Sequence, residues 1–142
     1  HELCIDSDCF TEEDKNTCPT GKITAVEDTP MDFRSPCLIG EVINSVYDQL
    51  NQFKGFDHNY IFNNNPGTCY LYSEKTGIKM KLTTSQPAVQ LYTGNYLDIP
   101  YSGVCLETQH YPCSPNFKEF PSTVIKAGEK YKENTTLKFS KE

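Results

Sequence analysis

The 142-residue chain has no tryptophan, no stripe of lysine or arginine, and no apolar run approaching the length of a bilayer span. A membrane-crossing helix needs about 20 consecutive apolar residues, so that class is excluded. Scattered lysines and a net charge of −6 argue against nucleic acid or an anionic membrane surface as partner. There is no internal repeat, and Asn63-Asn64-Asn65 is the only short low-complexity tract, which excludes a repeat array. Hydrophobic content is low at 37%, yet nine tyrosines and eight phenylalanines supply enough apolar surface for a modest core and too much for a disordered chain. No two cysteines have C-x-x-C spacing, so a zinc ribbon is not expected. His1, His58 and His110 are far apart in sequence, so no metal site is expected either.

Cysteine, by contrast, is abundant: Cys4, Cys9, Cys18, Cys37, Cys69, Cys105 and Cys113. With the N-glycosylation sequon Asn134-Thr135-Thr136, this count predicts a secreted protein in an oxidising compartment. The alternative is a cytoplasmic protein with unpaired thiols. Two or three disulfides are expected, and the odd total leaves at least one sulfur free or bonded to another chain. Cys9–Cys18 is the most plausible bridge, because Glu12 to Asn16 is polar enough to loop back. Cys105 is expected to be buried and free. The chain starts at His1 with neither Met nor a signal peptide, which suggests processing or a longer precursor.

Length argues for one domain or a piece of one. Most of the chain reads as short strands between turn signals: 1–8, 22–26, 59–62, 68–73, 78–85, 88–93, 104–109 and 131–140. This rhythm predicts an all-β protein, an antiparallel β-sandwich. One segment differs. Ile39, Val42, Ile43, Val46 and Leu50 recur at helical spacing, with Ser35-Pro36 as a start signal, and predict a short helix near 39–50.

The stretch "GVCLETQHYP" raises a chemical question. Strand alternation puts Cys105, Glu107 and Gln109 on one face and Val104, Leu106 and Thr108 on the other. A buried carboxylate and amide need partners, or a ligand supplies them. Two further stretches, "GFDHNY" and "TTSQPAVQLYTGNYLD", are polar where strands should be apolar.

Together with "HELCIDSDCFTEEDKNTCPTGKITAVEDTPMDFR" and "NFKEFPSTVIKAGEKY", these motifs resemble the C-terminal half of the aldose 1-epimerase (galactose mutarotase) family, in order and over essentially all of the chain. The resemblance implies a large β-sandwich, of which residues 1–142 form the C-terminal portion of a single domain. It implies an isomerase that interconverts the α and β anomers of free aldoses such as galactose or glucose, with no cofactor. It implies Glu107 as general base and Asp57 and Gln90 as sugar-binding residues, with His58, Asn59 and Gln109 lining the site. The family's histidine acid and a sugar-binding arginine fall in an N-terminal half that this chain lacks. The expected partners are therefore a monosaccharide and an N-terminal fragment of the same precursor, held non-covalently or through a cysteine. The link at 98–102 is shorter than the family's loop and trims one wall of the cleft. The alternative is a non-catalytic carbohydrate-binding or structural subunit on the same fold.

Overall fold

The computed structural model describes residues 1–141, and among them the chain forms ten strands and two short α-helices, with one 3-10 turn at Ser114–Asn116 between the last two strands. In order these are β1 (Glu2–Ile5), β2 (Cys9–Glu13), β3 (Pro19–Ala25), β4 (Cys37–Leu38), α1 (Ile39–Val42), α2 (Asp48–Phe53), β5 (Asp57–Ile61), β6 (Gly67–Ser73), β7 (Ile78–Thr84), β8 (Ala88–Tyr92), β9 (Cys105–Gln109) and β10 (Thr135–Lys141). A five-stranded sheet runs β10-β7-β6-β1-β4, and a second runs β3-β2-β5-β8-β9. Every pairing is antiparallel, which gives the β-sandwich that the strand rhythm predicts.

The core lies between the sheets. Leu3 and Ile5 of β1, Cys69 of β6 and Leu82 of β7 meet Phe10 of β2, Tyr60 of β5 and Val89 and Leu91 of β8. Phe33 and Phe56 fill the space beside them, with ring centroids 5.2 Å apart. Burying each such side chain contributes about 1.5–3 kcal/mol relative to leaving it exposed. Alternation along β5 sends His58 and Tyr60 into this core, so Asp57 and Asn59 emerge on the opposite face. Asp6, at the corner between β1 and β2, accepts hydrogen bonds from Asn63 (3.0 Å) and Asn64 (2.8 Å). The asparagine run therefore clamps two corners of the sandwich together.

The single helix expected near 39–50 is two. Tyr47 is extended, with φ −146°, and separates α1 from α2. Val46 is 97% exposed while Leu50 is 1% exposed, so one continuous apolar stripe does not form. Ser35 caps neither helix; α1 is preceded by Leu38 with no side-chain cap. The Ser45 N–H closes α1 on the Val42 carbonyl (3.0 Å), and the ladder restarts only where Asn51 N–H bonds the Tyr47 carbonyl (2.9 Å). Val124 and Ile125 are exposed and outside any strand, whereas β10 pairs with β7 along its whole length.

All seven cysteines are unpaired, which corrects the disulfide expectation. The proposed loop between Cys9 and Cys18 does not exist, because Glu12 and Glu13 continue a strand. Cys9 lies opposite Ala25 and Glu13 opposite Pro19, so the two sulfurs sit at opposite ends of the β2–β3 hairpin. Four strand steps separate those ends by about 13 Å, beyond the ~7 Å limit between bridged Cα atoms. The turn is instead built by Asp14, whose Oδ1 accepts from the backbone N–H of Asn16 (2.8 Å) and Cys18 (3.1 Å). Cys105 is exposed, not buried; the buried thiol is Cys69, pushed up to about 12 by loss of solvent. Asn134 of the sequon is exposed just before β10.

Candidate carbohydrate site

Helix α2 stops where Lys54 turns left-handed at φ 56°. Gly55 follows at φ 137°, and a Cβ there would lie 2.7 Å from Asn95 Oδ1 and 2.9 Å from Thr93 Oγ1. Only glycine fits so close an approach. Asn95 Nδ2 donates to the carbonyls of Phe53 (2.9 Å) and Phe56 (3.0 Å), and the Phe56 N–H donates to Thr93 Oγ1 (3.0 Å). The polar residues of "YTGN" are thus structural pins. They fix where β5 begins and which way Asp57 faces.

From that start, register does the rest. Asn59 lies opposite Gln90, and Gln90 opposite Glu107, so β5, β8 and β9 carry one polar row across the outer face of the second sheet. Gln90 Nε2 donates to Asp57 Oδ1 at 2.9 Å. Gln109 Nε2 reaches both Asn59 Oδ1 (3.0 Å) and Gln90 Oε1 (3.1 Å). Glu107 is exposed at the open end of the row, while Asp57 and Gln90 are half-buried. Asn59 is fully buried, and its Nδ2 has no partner. The β2–β5 register continues to set Thr11 beside Asn59, and Thr11 Oγ1 is buried and unpartnered too. Unsatisfied buried donors on a polar face are costly and point to a ligand that bonds them.

The structure brings Asp57, Asn59, Gln90, Glu107 and Gln109 onto one face. It does not bring His58, and this corrects its assignment as a lining residue. His58 is 0% exposed on the core face, between Phe10 (centroids 5.8 Å) and Phe53 (5.2 Å). Its Nδ1 accepts the backbone N–H of Asp57 at 3.0 Å. Burial drives its pKa down to about 3, so the ring is neutral. Alternation within "DHN" already separates His58 from its neighbours.

One residue of this face was not anticipated. Glu13 of β2 is 5% exposed. Its backbone is held by α2: the N–H donates to Gln49 Oε1 (3.0 Å), and the carbonyl accepts from Gln49 Nε2 (3.0 Å) and Gln52 Nε2 (3.3 Å). Burial foremost, then the charge of Asp57, raises its carboxyl to about 7, against the opposing hydrogen bond from Gln90. An acidic run in a strand nobody would read as apolar hides this position from sequence inspection. At the other side, Tyr111, Phe117 and Phe120 pack as an aromatic group (centroids 5.2 and 5.0 Å), with the Phe117 ring seated on Gly21 of β3.

The fold is thus a two-layer antiparallel sandwich that carries carboxylates and carboxamides in register on one sheet face. Comparison with known proteins gives that face a lineage. The aldose 1-epimerase family model matches residues 1–138, and the chain belongs to that family. It is 34% identical over 154 residues to galactose mutarotase from Bos taurus and 33% to that from Homo sapiens, covering 99% of this chain and 44% of each relative. Aldose 1-epimerase from Haemophilus influenzae is 34% identical over 155 residues, covering 98% of this chain and 44% of that protein. Among solved structures, an aldose epimerase homologue from C. elegans superposes with TM-score 0.87 at 30% identity, over 99% of this chain and 45% of that one. Galactose 1-epimerase from Lactobacillus acidophilus gives TM-score 0.87 at 28% identity, over 99% and 43%. The chain thus spans less than half the length of these relatives.

Proposed function

We propose that this chain is the C-terminal, base-carrying portion of an aldose 1-epimerase, acting on a free aldose such as galactose or glucose together with an N-terminal portion. The observation that carries this reading is the in-register row Asn59–Gln90–Glu107, with a buried unpartnered donor on Asn59. Asp57 accepts hydrogen bonds from sugar hydroxyls, Asn59 donates to them, and Gln90 Oε1 keeps a lone pair to accept one. Glu107, exposed and without a competing bond, takes the proton from the C1 hydroxyl. As the C1–O5 bond breaks, O5 is protonated by an acid from the N-terminal portion. The open-chain aldehyde rotates about C1–C2 and recloses on its other face, with the proton roles exchanged. No histidine of this face supplies the acid, because His58 is neutral and in the core.

Polarimetry with fresh α-galactose and α-glucose tests the reading. On the full-length protein, Glu107→Gln is expected to lower kcat by about 10²- to 10⁴-fold, the usual contribution of one general base. Stability should change by no more than ~0.5 kcal/mol, because the side chain is exposed. Equilibration at the buffer rate, unchanged by Glu107→Gln, overturns the catalytic reading. A non-catalytic carbohydrate-binding subunit is the second reading. It requires galactose binding that survives Glu107→Gln, without catalysis in either form.

A further inference from the structure

The Gln90 amide has a fixed orientation. Its Oε1 accepts from Gln109 (3.1 Å), so its nitrogen must point the other way, where one N–H meets Asp57 Oδ1 (2.9 Å). The same nitrogen faces Glu13, which bonds Gln90 as well. One amide nitrogen therefore serves two carboxyl groups from adjacent strands. The groups facing Glu13 are the carboxyls of Asp57 on β5 and Asp14 at its own strand's end; Gln90 on β8; and Gln49 and Gln52 on α2, which are neutral and hold its backbone. Glu107 lies one strand beyond Gln90. No cation among these groups compensates a second negative charge. Two carboxylates sharing a site, one of them 5% exposed, cannot both ionise cheaply.

We infer that Glu13 is a further substrate-binding residue: set beside Asp57 around the Gln90 amide, it presents a donating carboxyl to one hydroxyl of the bound sugar while Asp57 accepts from another. This rests on the sugar reading of the face. A pyranose hydroxyl both donates and accepts, so a donor set beside an acceptor matches it. An ionised Glu13 could only accept. Binding then weakens as Glu13 loses its proton, at about 7.

The test is a carboxyl ¹³C NMR titration of the full-length protein with and without galactose. Glu13 is expected to titrate near neutral pH, and Asp57→Asn to lower that midpoint, since it removes the neighbouring charge. Galactose affinity should fall about tenfold from pH 6 to pH 8, the change in protonated fraction for a group titrating near 7. Glu13→Gln, a permanent donor, should abolish that pH dependence. If Glu13 titrates below about pH 5, or Asp57→Asn leaves it unmoved, the carboxyl pair is wrong, even if galactose still shifts Gln90 and Glu107 resonances. If galactose shifts nothing on this face, the sugar reading fails and takes this inference with it. The wild-type titration decides by itself if a variant does not fold.

Discussion

Gln109 of β9 reaches across β8 to donate to Asn59 of β5 at 3.0 Å, over the small side chain of Ala88 that lies opposite it. The same amide serves Gln90 Oε1, so one side chain ties the three site strands together. Replacing it with Ala leaves Asn59 Oδ1 and Gln90 Oε1 without these donors. Gln109→Ala is expected to cost about 1–2 kcal/mol in urea unfolding. A larger loss is expected in sugar affinity than in kcat, because Gln109 orients binding groups and is not the base. A variant with unchanged affinity would show that the amide network does not position the site.

His58 makes stability fall on the acid side. Its folded pKa, about 3, lies below the ordinary 6.5 because burial disfavours the cation. The unfolded chain takes up a proton below about pH 6.5 that the folded chain refuses until about pH 3. Stability contributed by the neutral ring is thus present above 6.5 and lost on acidification, by roughly 1.4 kcal/mol per pH unit inside that window. Glu13 slopes the other way, since its folded pKa is raised from 4.5 to about 7 and its ionisation costs stability as pH rises. His58→Phe should flatten the acid limb of a denaturation-midpoint-against-pH curve while lowering stability at pH 8, where the bond to the Asp57 N–H is lost. An acid limb that is unchanged in the variant would place the proton uptake elsewhere.

Gly55 tests how the site strand is aimed. At φ 137°, with Thr93 and Asn95 oxygens inside 3 Å of a Cβ, alanine is both strained and crowded. Gly55→Ala is expected to destabilise by about 2–4 kcal/mol. Sugar affinity should also fall at temperatures where the protein remains folded, because Asp57 and Asn59 follow directly. Gly40→Ala, in α1 with nothing within 4 Å of its Cβ, is the control and should be neutral or slightly stabilising.

The thiols should react in an order set by exposure. Cys18, Cys105 and Cys113 are exposed, and Cys69 is buried with its thiol raised to about 12. A thiol reagent at pH 8 is expected to label those three quickly in the folded protein and Cys69 only on unfolding. Non-reducing peptide mass spectrometry should find no internal bridge. Recovery of a Cys9–Cys18 peptide would contradict the hairpin geometry.

Much of this was legible from the chain alone, for reasons of periodicity. Alternation of two places Glu107 with Gln109, and Asp57 with Asn59, whatever the surroundings. The same parity put His58 on the other face, and reading "DHN" as a contiguous motif obscured it. Turn signals located most strands, but the acidic run Thr11-Glu12-Glu13 concealed β2, because its polar side chains bond to Lys22 and Thr24 on one face and reach Asp57 and Gln90 on the other. The helix signal over 39–50 failed at Tyr47, whose extended backbone breaks the spacing. Periodicity and motif order were thus enough for the alternation of most strands, the all-β class and the family. Adjacency came only with the folded chain. Asn59, Gln90 and Glu107 become a row because β5, β8 and β9 pair in one register, and Glu13 meets Asp57 because β2 lies beside β5. Gln90 and Glu107 are 17 positions apart, Asn59 and Gln90 31, and Glu13 and Asp57 44, and no local preference encodes such pairings. They follow from burying one apolar face of each sheet against the other, which leaves the polar faces to meet wherever the strand order puts them.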